Sequence, residues 1–148
     1  MTAPSRHPPY AGLVSRLAGL AIDAALLAVA STLAAGGVPA LWAALDGEPP
    51  GWLKATAGLI AVVLPAVYFT TCWWMTGQTL GSLLFGTVVR RADGRHVGLV
   101  RALLRAVIGL AIPVLWLIGL VGVLTDDRRR AWHDRLFGTV VRYVDRRN

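Results

Sequence analysis

Apolar residues run nearly unbroken through three blocks, Leu17 to about Leu45, Leu53 to about Met75 and Ala102 to Leu124, while polar residues gather between them. Each block reaches or approaches the roughly 20 residues that a helix needs to cross a hydrocarbon core about 30 Å thick. In the first block Gly36, Gly37 and Pro39 mark a helix end, so a membrane helix is expected over about 17–38, with Trp42 in an interfacial turn. The second is expected over 53–75, kinked at Pro65 and ending at the headgroup level with Trp73 and Trp74. Residues 1–15 hold three prolines and no helical period, and read as a tail leading into a helix at Ser15 or Arg16. Asp46 to Lys54 forms a polar, slightly acidic loop.

Between the second and third blocks, residues 76–101 are rich in glycine and arginine and read as a turn, a short strand, a tight Asp93-Gly94 turn and a helix start. The heptapeptide LFGTVVR stands here at Leu84–Arg90 and again at Leu136–Arg142. Two identical, β-branched pieces invite pairing as a small two-stranded element, which needs support from helices because an isolated pair is marginal. Pairing requires both copies on one side of a membrane.

The third block, expected as helix over 102–124, admits two paths. One helix of that length, roughly 35 Å, spans. Spanning, however, carries a 125–148 tail with seven arginines to the outer side, against the preference of arginine for cytoplasmic loops. A re-entrant hairpin turning at Gly109, Pro113 and Gly119 keeps both heptapeptides together and is the favoured reading; a third full span is the alternative. Non-helical backbone at depth must then be buried against the first two helices.

Composition agrees with lipid as solvent: 148 residues are 55% hydrophobic with a mean hydropathy of +0.58. The net charge of +7 comes almost wholly from arginines at block ends, Lys54 being the only lysine. That is the distribution of cytoplasmic loops beside anionic lipid, and no recognition helix, zinc finger or RNA-binding signature accompanies it, so nucleic acid is not an expected partner. The expectation is a multi-pass inner-membrane protein with a cytoplasmic N-terminus. Asp23 inside the first block argues against a secretory signal. Cys72, the single cysteine, reads as a packed residue.

Polar residues within or next to apolar blocks are the candidates for chemistry. Arg16 and Asp23 lie seven apart, on one helix face and roughly 10 Å apart along the axis. A carboxylate two turns into a membrane needs a partner or water, and Arg16, Arg101, Arg105 and Arg135 are the cations in reach. Asp23 then serves either a proton or cation site or a structural ion pair tying the first helix to the cytoplasmic cap. His133 and Asp134 follow an arginine run and suggest a helix start or turn packed on the membrane surface; Asp126 and Asp127 read as caps or solvated charges. His7, His96 and His133 show no ligand spacing, so no metal is expected. GQTLGSLLFG lacks the ending of a phosphate loop, and no nucleophile elbow is present, so neither a nucleotide, another cofactor nor enzymatic catalysis is expected.

Three segments taken together, RLAGLAID, GQTLGSLLFGTVVRRADGRHVGLVRALLR and RRRAWHDRLFGTVVRY, resemble the RDD family over about Ser15 to Val144. The resemblance implies that Arg16, Asp23 and Asp134 are the name-giving residues, and that the protein transports an unidentified ligand or exchanges cations for protons. Where the family commonly has lysine after the second glycine of its GxTxGK motif, this chain has Ser82, so the resemblance implies no headgroup or ligand contact of that lysine here. The expected architecture is an all-α membrane protein with two full transmembrane helices, a re-entrant or third apolar segment, and a small cytoplasmic two-stranded β element within a 16–148 domain. Two or three helices do not enclose a solute path, so a homo-oligomer or another membrane protein is the expected partner, together with membrane lipid. A non-transporting scaffold or accessory subunit is the alternative function.

Overall fold

The computed structural model describes residues 10–144. Two helices are long and apolar enough to cross a membrane, one of 34 residues over Leu13–Asp46 and one of 25 over Gly51–Met75. At 1.5 Å per residue they measure about 50 Å and 37 Å. Their apolar windows are only 17% and 11% buried within the protein, so these are not the core helices of a soluble domain.

The first runs as α1 (Leu13–Thr32), a π-helical segment (Leu33–Gly37) and α2 (Val38–Asp46). The helix expected to stop near residue 38 therefore continues, and the reason is local. Pro39 has no N–H and crowds the preceding turn. The wider π turn, with the Val38 N–H bonded to the Leu33 carbonyl, takes up that crowding without ending the helix. Trp42 accordingly lies on α2, edge to face with Trp52 across the loop. Of the expected 1–15 tail, residues 1–9 lie outside the described residues, and α1 begins at Leu13, ahead of Ser15.

Helix α3 (Gly51–Met75) carries Pro65 in its interior. Proline leaves the Ala61 carbonyl without its helical donor, and Ser31 on α1 supplies one across the helix pair at 3.0 Å.

After α3 the chain makes α4 (Leu80–Leu84), β1 (Thr87–Arg91), α5 (Leu99–Ala111), α6 (Pro113–Leu120), α7 (Gly122–Thr125), α8 (Trp132–Leu136) and β2 (Thr139–Tyr143). The third apolar block is thus broken, with Ile112 leaving the helical conformation (φ −134°, ψ 64°) before Pro113. Its pieces, about 20 Å and 12 Å long for α5 and α6, are each too short to span. Its two ends come back to the same side: Ala102 and Ala106 share a cluster with Val89 and Val141 of the sheet, while Leu120 and Val123 pack with Ala131 just ahead of α8 and Leu13 at the start of α1. This is the hairpin path.

The two heptapeptides pair as β1 and β2, antiparallel, with Val89 opposite Val141. Each copy starts on the last residue of a five-residue helix and runs through a phenylalanine and a glycine at φ near +60° (Gly86, Gly138) into a strand. The pairing is reciprocal, since the Ala92 N–H bonds to the Gly138 carbonyl and the Val144 N–H to the Gly86 carbonyl, at 2.9 and 2.7 Å. Neither edge stays open. Gly77 accepts from the Val89 N–H on one side, and the Ala11 N–H donates to Val141 on the other.

Candidate functional site

The polar residues inside this cap form two clusters flanking a small cavity. The first is built on Asp23, which α1 presents to the start of α4. A five-residue helix leaves its first N–H groups without helical acceptors. Here each finds one: Leu80 donates to the Tyr68 hydroxyl (2.9 Å), Gly81 to Asp23 Oδ1 (2.8 Å) and Ser82 to Thr79 Oγ1 (3.2 Å). Tyr68 and Thr79 in turn donate hydroxyl hydrogen bonds to Asp23, at 2.7 Å to Oδ1 and 2.5 Å to Oδ2. The carboxylate, 2% exposed, is held by neutral donors among the described residues.

Such proximity requires glycine at 81 and leaves little room for more at 19. A Cβ on Gly81 would overlap the Gly19 carbonyl and stand 3.0 Å from the Asp23 carboxyl carbon, whereas one on Gly19 would meet Gly81 at 3.2 Å. The GQTLGS run thus serves helix-to-helix approach and capping.

The second cluster is built on Asp134, the third residue of α8, whose side chain is fully buried. Its four acceptor positions meet four donors. Oδ2 takes a short bond from Arg16 Nη1 and one from the Ala131 N–H at 3.1 Å, which starts α8. Oδ1 takes Arg105 Nη1 at 2.7 Å and the Thr139 hydroxyl at 3.3 Å. One carboxylate therefore ties α1, α5, α8 and β2 together. Arg16 extends the tie, with Nη2 on the Arg129 carbonyl at 2.5 Å and Nε on Ala11 at 3.3 Å. Arg129 takes a positive φ of 48°, rare for a residue with a side chain, as the turn brings that carbonyl to Arg16.

Burial pushes the Asp134 carboxyl upward, but Arg105 and Arg16 override it and hold it below the usual carboxylate range. Beside it, burial and the Arg105 charge push His133 down to about 3, so that its ring is neutral at physiological pH. Arg105 also lies over the Trp73 ring, 4.9 Å from its centroid.

Of the cations considered for Asp23, none among the described residues bonds to it. Arg16 and Arg105 go to Asp134 instead. Arg135 sits on the outside of α8, half exposed, and bonds to Asp126 at 2.8 Å; Arg101 lies beside Gly138. Asp126 binds Arg130 as well, through its backbone N–H and guanidinium, which holds its carboxyl low. The sequence reading missed Tyr68, Thr79 and Thr139. Thr79 was within reach of sequence argument, because Thr-x-x-Ser ahead of an apolar run resembles a capping box.

Between the clusters lies a polar cavity of about 80 Å³, with Arg16, Arg105 and His133 on one side and Asp23, Thr79 and Ser82 on the other. A larger apolar groove of about 390 Å³ adjoins it between α1, α3 and the α5–α6 hairpin.

No curated protein matches the chain. The profile of the RDD family matches residues 10–138, which include both clusters except Thr139.

Proposed function

The chain belongs to the RDD family, and from that premise we propose that it is a non-enzymatic, multi-pass protein of the inner membrane whose name-giving residues form a structural latch. In this reading Arg16, Asp23 and Asp134 fasten the membrane helices to a cytoplasmic cap made of the paired heptapeptides. The observation that carries it is the saturation of Asp134, whose four acceptor positions all meet donors from four different parts of the fold. A carboxylate so occupied has no position left for a travelling ion, and breaking it would strand two buried guanidiniums. The arginine-rich cap and the acidic loop at the far end of the two long helices favour a cytoplasmic cap and N-terminus. Two spans and a hairpin enclose no path of their own, so the protein works as an accessory unit with a second copy or another membrane protein.

A transport or cation/proton-exchange reading is favoured by one feature, the polar cavity with Asp23 on its wall. Ion flux in proteoliposomes across a pH gradient, for wild type and Asp23→Asn at matched insertion, separates the two. The latch predicts no wild-type flux and a reduced yield of folded Asp23→Asn. Wild-type flux that the substitution abolishes would overturn the latch in favour of transport.

A further inference from the structure

We propose that the polar cavity and the apolar groove together hold one membrane phospholipid with a phosphoethanolamine head. The two spaces share Leu20, Phe69, Trp73 and Arg105 in their linings, so they adjoin. They are also ordered along α1. The polar cavity takes Ser15, Arg16, Gly19 and Asp23, at the end next to the cap, while the groove takes Ala24, Leu27, Ala28 and Ser31, further into the apolar run. Polar at the helix end and apolar toward the middle is the polarity of a phospholipid in one leaflet. A groove there faces acyl chains, and filling it with one removes its void at little cost in desolvation.

The charges select the head. Among the described residues, two guanidiniums on the cap side, Arg16 and Arg105, face the single carboxylate Asp134, which leaves that side cationic. The opposite wall carries Asp23. Its Oδ1 accepts two bonds, but its Oδ2 accepts only that from Thr79 among the described residues, so one acceptor position is open to a further donor. A head with phosphate toward the arginines and a primary ammonium toward Asp23 Oδ2 matches both walls. A trimethylated amine has no N–H to give Asp23, and a glycerol head leaves it without a cation.

The test is native mass spectrometry of the full chain in micelles doped in turn with phosphatidylethanolamine, phosphatidylcholine and phosphatidylglycerol of identical chains. The expected result is one retained lipid per chain, with the ethanolamine lipid retained several-fold over the other two. Ala28→Trp, which fills the groove away from both clusters, is expected to lose all three lipids while keeping the wild-type circular dichroism. Asp23→Asn, where it folds, is expected to lose the preference for ethanolamine and keep a bound lipid. Equal retention of the three heads, retention unaffected by Ala28→Trp, or a lipid-free dimer whose groove is covered by a second copy would each overturn the proposal.

Discussion

Arg105 on α5 donates to Asp134 on α8 across 2.7 Å, and the carboxylate's other oxygen is taken by Arg16 from the first membrane helix. All three side chains are at most 6% exposed. Removing one partner of a buried pair while leaving the other charged costs about 3–5 kcal/mol. Asp134→Asn is therefore expected to destabilise by that order. Arg105→Met with Asp134→Leu should cost clearly less than the two single losses added together, since Arg16 alone then loses its carboxylate and Arg105 is no longer left orphaned. Thermal or denaturant unfolding in detergent of the four members of this cycle measures the difference, and strictly additive losses would speak against a coupled latch.

The close approach of α1 and α4 predicts a graded pair of substitutions. Gly19→Ala puts a methyl group 3.2 Å from the Gly81 backbone, a few tenths of an ångström too near, and is expected to be mild. Gly81→Ala drives its methyl into the Gly19 carbonyl and towards the Asp23 carboxyl, where neither the helix backbone nor a side chain held by three hydrogen bonds can easily retreat. A loss at or above the ~1–3 kcal/mol typical of overpacking is expected there. Melting temperatures of the two variants compare them directly, and equal losses would contradict this packing.

The first helix and Asp23 show where sequence reasoning stopped short. Pairing of the heptapeptides was legible because an exact β-branched repeat leaves few other arrangements, and the hairpin because length and charge bias conflicted at Pro113. The helix end was misread because a π turn, a backbone adjustment with no residue signature of its own, absorbs Pro39. Asp23 was assigned cations because opposite charge is visible in a sequence. Its actual donors are a tyrosine, a threonine and a backbone N–H, which are ordinary residues until the fold places them.

Stability is expected to fall with acidity, beginning near pH 6.5. His133 is held neutral down to about pH 3 in the folded protein but titrates near its ordinary 6.5 once unfolded, so between these values the unfolded chain binds the extra proton. Stability drops by up to about 1.4 kcal/mol per pH unit over that window. Asp134, held low when folded, adds to the fall below its ordinary value near 3.8. Unfolding between pH 7 and 4.5 should show the slope in wild type and a flatter one in His133→Gln; identical slopes would remove His133 as its source.

Orientation is open to cysteine labelling. In a Cys72→Ser background, Glu48→Cys on the far loop is expected to react with an impermeant maleimide added to intact spheroplasts. Asp93→Cys, in the turn after β1, should react only after the membrane is opened. The reverse pattern would place the cap outside.

The latch itself is tested most directly by hydrogen exchange in micelles, comparing wild type with Asp134→Asn at the strand amides of Val88 and Val140, which face the partner strand. The account predicts that these amides lose protection in the variant while the amides in the middle of α3 keep theirs, because the cap comes free of membrane helices that remain folded. Protection of the strands unchanged from wild type would contradict it.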